Sequence, residues 1–311
     1  MSSESGHASP TAHIIQSLLA NLGIVIAKGI AAAFTGSGAM LAETIHSFAD
    51  CGNQLLLLMG VKRAAAPPDP SHPLGYGRNL YFWSFMVALL LFVGGGVFSV
   101  YEGIHKIGEP EPVENLAVGL VVLGISLALE GWSTLSNIRE INKRRGPKGF
   151  FRYLVDTKDS DLIVVFGENS AAVLGLGFAF AAMLLASATG DGRWDGAGSL
   201  LIGLVLIGVA VFLAVEVKSL LVGESADPGV EAAARAAAGE DPRITRVLNC
   251  ITVQQGPGEV LVAIKIAVDE AIAVNELCRL INELEVRLRS ARPDARWVFV
   301  EPDIPRDRLP T

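Results

Sequence analysis

From Asn79 to Tyr101 the chain carries no acidic, basic or histidine side chain, and most of the run is apolar. A helix rises 1.5 Å per residue, so ~20 such residues cross the hydrocarbon core of a bilayer. No polar face remains for water, which rules out a surface helix of a soluble domain. Five further segments repeat the pattern with few interruptions: Ile14–Phe34, Leu41–Gly60, Leu116–Leu135, Leu162–Ala188 and Gly196–Val215. Together with Leu80–Tyr101 they predict a membrane all-α bundle of six spans. Charged residues are only 18% of the 311, and mean hydropathy is +0.45, against ~25% charged in soluble domains. An ordinary soluble enzyme is excluded. The net charge of −7 lacks the basic footprint of a nucleic-acid binder. Cys51, Cys250 and Cys278 form no CxxC, so neither a disulfide framework nor a thiolate-zinc site is implied.

Lysine and arginine in the short connections set the expected orientation. Lys62, Arg63 and Arg78 lie between spans two and three, and Arg139, Lys143, Arg144, Arg145, Lys148, Arg152 and Lys158 between spans four and five. The opposite side holds only Lys106 and Arg193 among several acids. Both termini are therefore expected in the cytoplasm. The polar residues before span one contain no Lys or Arg, unlike a signal or transit peptide. Span one reads as a retained helix, and the membrane as a bacterial-type inner membrane.

After Val222 the composition becomes that of a soluble domain. Asp227-Pro228 has the form of a helix start, Asp as cap and Pro at the first turn. Ile244–Gln254 and Glu259–Asp269 flank the turn 255–258 as two strands, and Val260, Val262, Ile264, Ile266 and Val268 recur with period two. Leu277, Leu280, Ile281, Leu284 and Leu288 form a helical stripe, and Arg296–Val300 a last strand. The expected layout is a tail at 1–12, a six-helix transmembrane domain at 13–222, and a small α+β domain (αββαβ, ferredoxin-like) at 223–311.

Ionisable groups inside spans cost ~2.5–3.5 kcal/mol each on insertion scales, so each needs a reason. His46 and Asp50 stand four apart in span two, on one helical face. An imidazole nitrogen and a carboxylate oxygen so placed are two ligands of a divalent transition-metal site, or else a polar pair that fixes helix packing. Glu168, followed by Asn169, is the only acid deep in span five; with His46 and Asp50 it favours the metal. Lys28 in span one and Glu130 in span four carry opposite lone charges, which predicts an ion pair or shared polar network, or proton or gating work. Glu43 precedes His46 by three residues, near the same face or at the outer mouth. Asp69 and His72 in the loop after span two read as solvated residues or a loop metal site. Gly94-Gly95-Gly96 predicts close helix approach or a hinge.

The stretches AETIHSFADCGNQLLL, PDPSHPLGYG, LEGWSTL and FGENSAAVLGL resemble the cation diffusion facilitators, most closely the zinc transporter 9 branch. The resemblance implies export of a divalent cation in exchange for protons by a homodimer whose tails associate. Zinc is foremost; Mn²⁺, Fe²⁺ and Co²⁺ suit the same donors. By position it assigns the first ligand pair to His46 and Asp50, and the downstream member of the second pair to Glu168. The upstream member falls on Val164, which cannot coordinate, so Asn169, water or a group from elsewhere would complete the site. In the loop Asp69 and His72 match a second metal site whose third position falls on Tyr76. Arg78 matches a basic residue that ties bundle to tail, with Glu224 as substitute acidic partner. Residues 226–311 contain no histidine, so the tail reads as a dimerising module rather than a zinc cluster. The alternative function is a membrane-anchored regulatory or scaffold protein that transports little. An intramembrane metallo-hydrolase would pair two ligands with an acid-base residue in an HExxH-like arrangement, which this sequence does not contain, and the chain reads as a non-enzyme.

Overall fold

The computed structural model describes residues 10–305; residues 1–9 of the expected N-terminal tail lie outside it. The chain divides into two compact units. One gathers Met1–Val61, Phe82–Leu154 and Asp161–Val217, and the other Lys62–Tyr81, Val155–Ser160 and Lys218–Thr311.

The first unit is helical: α1 (Pro10–Thr35), α2 (Gly38–Ala64), α3 (Asn79–Leu90), a π-helical turn (Leu91–Val97), α4 (Phe98–Gly108), α5 (Leu116–Arg144), α6 (Phe150–Asp156), α7 (Ser160–Thr189) and α8 (Arg193–Val222). Among the described residues four helices are long and apolar enough to cross a membrane: Asn79–Gly108, which runs through α3, the π turn and α4, then Leu116–Arg144, Leu162–Thr189 and Arg193–Val222. In α1 the apolar part is the shorter stretch Asn21–Thr35. Helix α2 includes Glu43, His46 and Asp50 among its apolar residues. The core is built from Met40, Val87, Leu91, Leu123, Leu176 and Leu206, while Ile26, Phe34, Trp132 and Leu204 face outward. Large apolar side chains on the outside suit a lipid solvent.

The glycine run makes the expected close approach. A Cβ on Gly96 would stand 3.4 Å from Gly203 O and 3.2 Å from Ile207 N. One heptad on, a Cβ on Gly103 would stand 2.5 Å from Leu200 N and 2.8 Å from Gly196 O. Helices α4 and α8 thus meet backbone to backbone along small residues, the packing that membranes favour. At the turn between α1 and α2, Gly36 takes φ +62°. Asp195, at the start of α8, accepts from Ser37 Oγ at 2.5 Å, Gly38 N at 2.6 Å and Ala39 N at 3.3 Å. Ser37 Oγ in turn accepts from Met40 N at 3.1 Å. These bonds satisfy the otherwise orphaned donors of the α2 N-terminus and favour its positive dipole end.

In the second unit α9 (Pro228–Gly239), β1 (Ile244–Gly256), β2 (Glu259–Val268), α10 (Val274–Ala291) and β3 (Ala295–Pro302) follow in the expected α-β-β-α-β order. The three strands form one sheet, β1-β2-β3, with β1 antiparallel and β3 parallel to β2. Asp227 caps α9, its side chain accepting from Gly229 N at 2.9 Å. The inner face of β2, Val260, Val262, Ile264 and Ile266, packs with Leu280, Leu284 and Leu288 of α10 and Val230 of α9. The loop at 62–81 lies against the β1–β2 turn: a Cβ on Gly77 would stand 2.8 Å from Gln255 O.

Two sequence-based pairings differ. Glu224 is bound by Lys158 Nζ at 2.5 Å, not by Arg78. The Arg78 guanidinium instead lies beside Gly223, where φ is +119° and the chain leaves α8. That turn sets Glu224 within reach of the flexible Lys158 stem. Lys28 likewise pairs directly with Glu43, as described next, while Glu130 lies within reach of its charge.

Candidate metal centre

All candidate ligands inside the spans belong to the first unit. Helix α2 carries the row. His46 is fully buried, and its Nδ1 lies 3.6 Å from Asp50 Oδ1, too long for a hydrogen bond. Both imidazole nitrogens and Asp50 Oδ1 are buried without a hydrogen-bond partner among the described residues. Leaving such atoms unpaired costs ~1–3 kcal/mol each, and native interiors hold few of them. Their donor types, a ring nitrogen and a carboxylate oxygen, are those a divalent cation takes up.

Glu168 comes to the row from α7. Its Oε1 accepts from Asn53 Nδ2 of α2 at 2.5 Å. Asn53 is fully buried, and its Oδ1 has no partner among the described residues. Asn53 is the residue that sequence reasoning missed, although steps of four and three from His46 through Asp50 place it on the same face. The missing signal was the partner, because nothing local to α2 indicates that Glu168 arrives opposite Asn53. Among the described residues no three His, Cys, Asp or Glu side chains gather closely enough to hold a metal ion. His46 and Asp50 come together, while Glu168 stays on the amide of Asn53.

Asn169 turns the other way: its Nδ2 donates to Ser133 Oγ of α5 at 3.4 Å, and its carbonyl accepts from Thr134 Oγ1 at 3.2 Å. Val164, one turn before Glu168, is fully buried in the apolar core. Glu130 on α5 is half-buried, makes no ion pair among the described residues, and lies near enough for its charge to act on Glu168. Lys28 Nζ donates to Glu43 Oε2 at 3.1 Å and Ser47 Oγ at 2.7 Å, all three residues buried. Glu43 begins the buried row one turn ahead of His46, so the nearest carboxylate to Lys28 comes from α2 rather than α5. Gly175 on α7 leaves room for Glu43 Oε1, where any Cβ would collide.

The loop residues Asp69 and His72 lie in the second unit. Asp69 Oδ1 accepts from Ser71 N, Ser71 Oγ and His72 N at 2.9, 2.6 and 2.8 Å, and Oδ2 from Tyr76 OH at 2.6 Å. The Ser71 and Tyr76 hydroxyls hold its carboxyl well below the usual carboxylate range. His72 stacks on Tyr76 with ring centroids 4.2 Å apart. Both carboxylate oxygens are thus engaged in shaping the loop.

The family model of the cation efflux transmembrane domain matches residues 14–222. The chain is 38% identical over 203 residues to the proton-coupled zinc antiporter SLC30A9, mitochondrial, of Xenopus laevis, covering 65% of this chain and 36% of that protein. It is 30% identical over 226 residues to metal tolerance protein C4 of Arabidopsis thaliana, covering 72% of this chain and 50% of that protein. The cation-efflux pump FieF of Shewanella oneidensis is 25% identical over 281 residues, 89% of this chain and 88% of the pump. The chain matches only about a third of the length of its antiporter relatives. A family match over residues 14–222, more than half of the chain, joined to these relatives, shows that the chain belongs to the cation efflux family, the cation diffusion facilitators, in its zinc transporter 9-like branch.

Proposed function

We propose that this protein is a secondary active transporter, not an enzyme, that moves a divalent transition-metal cation out of the cytoplasm in exchange for protons. Zinc is the first candidate, with Mn²⁺, Fe²⁺ and Co²⁺ open to the same donors. The observation that carries the proposal is the row of buried, unpartnered donor atoms on α2, His46 Nδ1 and Nε2 and Asp50 Oδ1, with Glu168 opposite. A regulatory or scaffold protein would have no need to leave those atoms unpaired inside the bundle. His46, Asp50 and Glu168 are the proposed cargo ligands.

The chemistry follows from the protonation each ligand requires. Metal binding needs a neutral imidazole and ionised carboxylates, so protons and metal compete for the same groups. On the cytoplasmic side metal displaces protons. On the outer side protons return, and the ion leaves. Val164 in place of a fourth charged or imidazole ligand keeps the site from holding its cargo too tightly, as a carrier requires.

The proposed architecture is six spans, with α1 and α2 joining the four most apolar segments, both termini in the cytoplasm, and a ferredoxin-like domain from residue 223 that pairs two copies. The proposed division is 1–12, 13–222 and 223–311. A bacterial-type inner membrane is the proposed location, supported by the basic connections; the antiporter relatives at 36–38% identity are mitochondrial proteins.

The deciding experiment is zinc flux into proteoliposomes under an imposed pH gradient, with Asp50→Ala as the matched control. Flux that follows the gradient and disappears in the variant is the expected result. Equal flux in both would refute the assignment of the site, and manganese or iron in the same vesicles would show which cation is carried.

A further inference from the structure

With His46, Asp50 and Glu168 as cargo ligands, a four-coordinate cation still lacks one ligand. The helix that supplies Glu168 offers Val164 one turn earlier, buried among apolar side chains. Asn169, the polar neighbour of Glu168, gives its side-chain Nδ2 to Ser133 Oγ at 3.4 Å, and its backbone carbonyl accepts from Thr134 Oγ1. The remaining ligand is water or a side-chain oxygen, and α2 supplies one of the latter.

Asn53 has the needed features. It is fully buried on the face of α2 that carries His46 and Asp50. Its Nδ2 donates to Glu168 Oε1 at 2.5 Å. The nitrogen end of the amide is given to Glu168, which leaves Oδ1 as its remaining acceptor. That Oδ1 is buried and has no hydrogen-bond partner among the described residues, the same condition as Asp50 Oδ1 one turn earlier and both nitrogens of His46. A buried amide placed only to join two helices would be expected to have its oxygen paired as well.

We propose that Asn53 is a cargo-contacting residue of the transport site. Its Oδ1 supplies the ligand that Val164 cannot, while its Nδ2 keeps Glu168 directed at the same ion. The proposal rests on the transport site described above. The resulting donor set, one nitrogen and three oxygens, is harder than a site with two imidazoles and admits manganese and iron beside zinc. The amide is neutral and takes up no proton at physiological pH. It raises affinity without adding a proton to the exchange, and the two carboxylates alone balance the charge of a dication.

The test uses the full chain purified in detergent, with zinc affinity measured by calorimetry over a range of pH and Co²⁺ visible absorption reporting coordination. Asn53→Leu, close in volume and without a donor, is expected to weaken zinc binding by about tenfold or more and to alter the cobalt bands. Asn53→Asp, which keeps an oxygen and adds a titrating group, is expected to bind zinc with a steeper rise of affinity with pH. Wild-type zinc affinity and an unchanged cobalt spectrum in Asn53→Leu would overturn the proposal. If that variant does not fold, an Asn53→Asp pH slope equal to the wild type overturns it instead. Wild-type binding in Asp50→Ala is a different result: it would remove the transport site itself.

Discussion

Replacing Lys28 with Met strips the Glu43 carboxylate of its counter-charge inside the bundle. Both groups are fully buried, 3.1 Å apart, and Lys28 Nζ also donates to Ser47 Oγ at 2.7 Å. Breaking a buried pair from one side costs ~3–5 kcal/mol, because the remaining charge stays desolvated and unpaired. At roughly 2–4 °C per kcal/mol for a unit of 150–250 residues, the melting temperature should fall by about 6–20 °C. Glu43→Gln, which leaves the ammonium stranded, should fall similarly. The double replacement Lys28→Met with Glu43→Gln removes both charges and should recover most of the loss, since paired groups are not additive. The assay is thermal unfolding of the purified full chain in detergent for wild type, both singles and the double. Single losses that simply add in the double would refute the pairing. So would a Lys28→Met variant as stable as wild type.

Val164→Asp adds a carboxylate one turn from Glu168 and should tighten zinc binding; calorimetry showing unchanged affinity would refute the placement of Val164 beside the ion. Asp195→Ala removes three acceptor contacts from the α2 N-terminus and should cost ~2 kcal/mol or more, a loss of cap and buried hydrogen bonds. A melting temperature within error of wild type would count against that cap. In the second unit, Arg243, and Arg287 beside it, hold the buried Asp241 carboxyl well below its ordinary range. A depressed carboxylate contributes stability that is present above its unfolded pKa and is lost as pH falls through the folded value. Asp241→Asn should therefore cost about 1–2 kcal/mol at neutral pH and lessen the destabilisation by acid, read from melting curves between neutral and acidic pH. An identical acid dependence in the two proteins would refute the linkage.

Local pattern decided much of this protein. The long apolar runs mark their helices because lipid offers no partner for a bare backbone, and hydropathy reports that directly. The soluble unit was equally legible. Period-two valines and isoleucines at 260–266, a stripe of leucines at 280, 284 and 288, and Asp227-Pro228 as a start signal each act over a few residues. The relation of His46 to Asp50 is also local, since a helix places residues four apart on one face.

The partners of those residues were decided only by tertiary structure. Opposite lone charges joined Lys28 to Glu130, and the family resemblance joined Arg78 to Glu224, yet Glu43 and Lys158 hold Lys28 and Glu224. A span's apolar composition does not state which helix its one polar face meets, because lipid solvates nearly all of it equally well. The azimuth of each helix is fixed by close contacts such as Gly96 and Gly103 against Gly203 and Gly196. It was the packing of α7 against α2 that brought Glu168 to Asn53 and turned Asn169 away toward Ser133. The sequence by itself determined which donors exist and which share a helix face; only the packed bundle decided which of them meet.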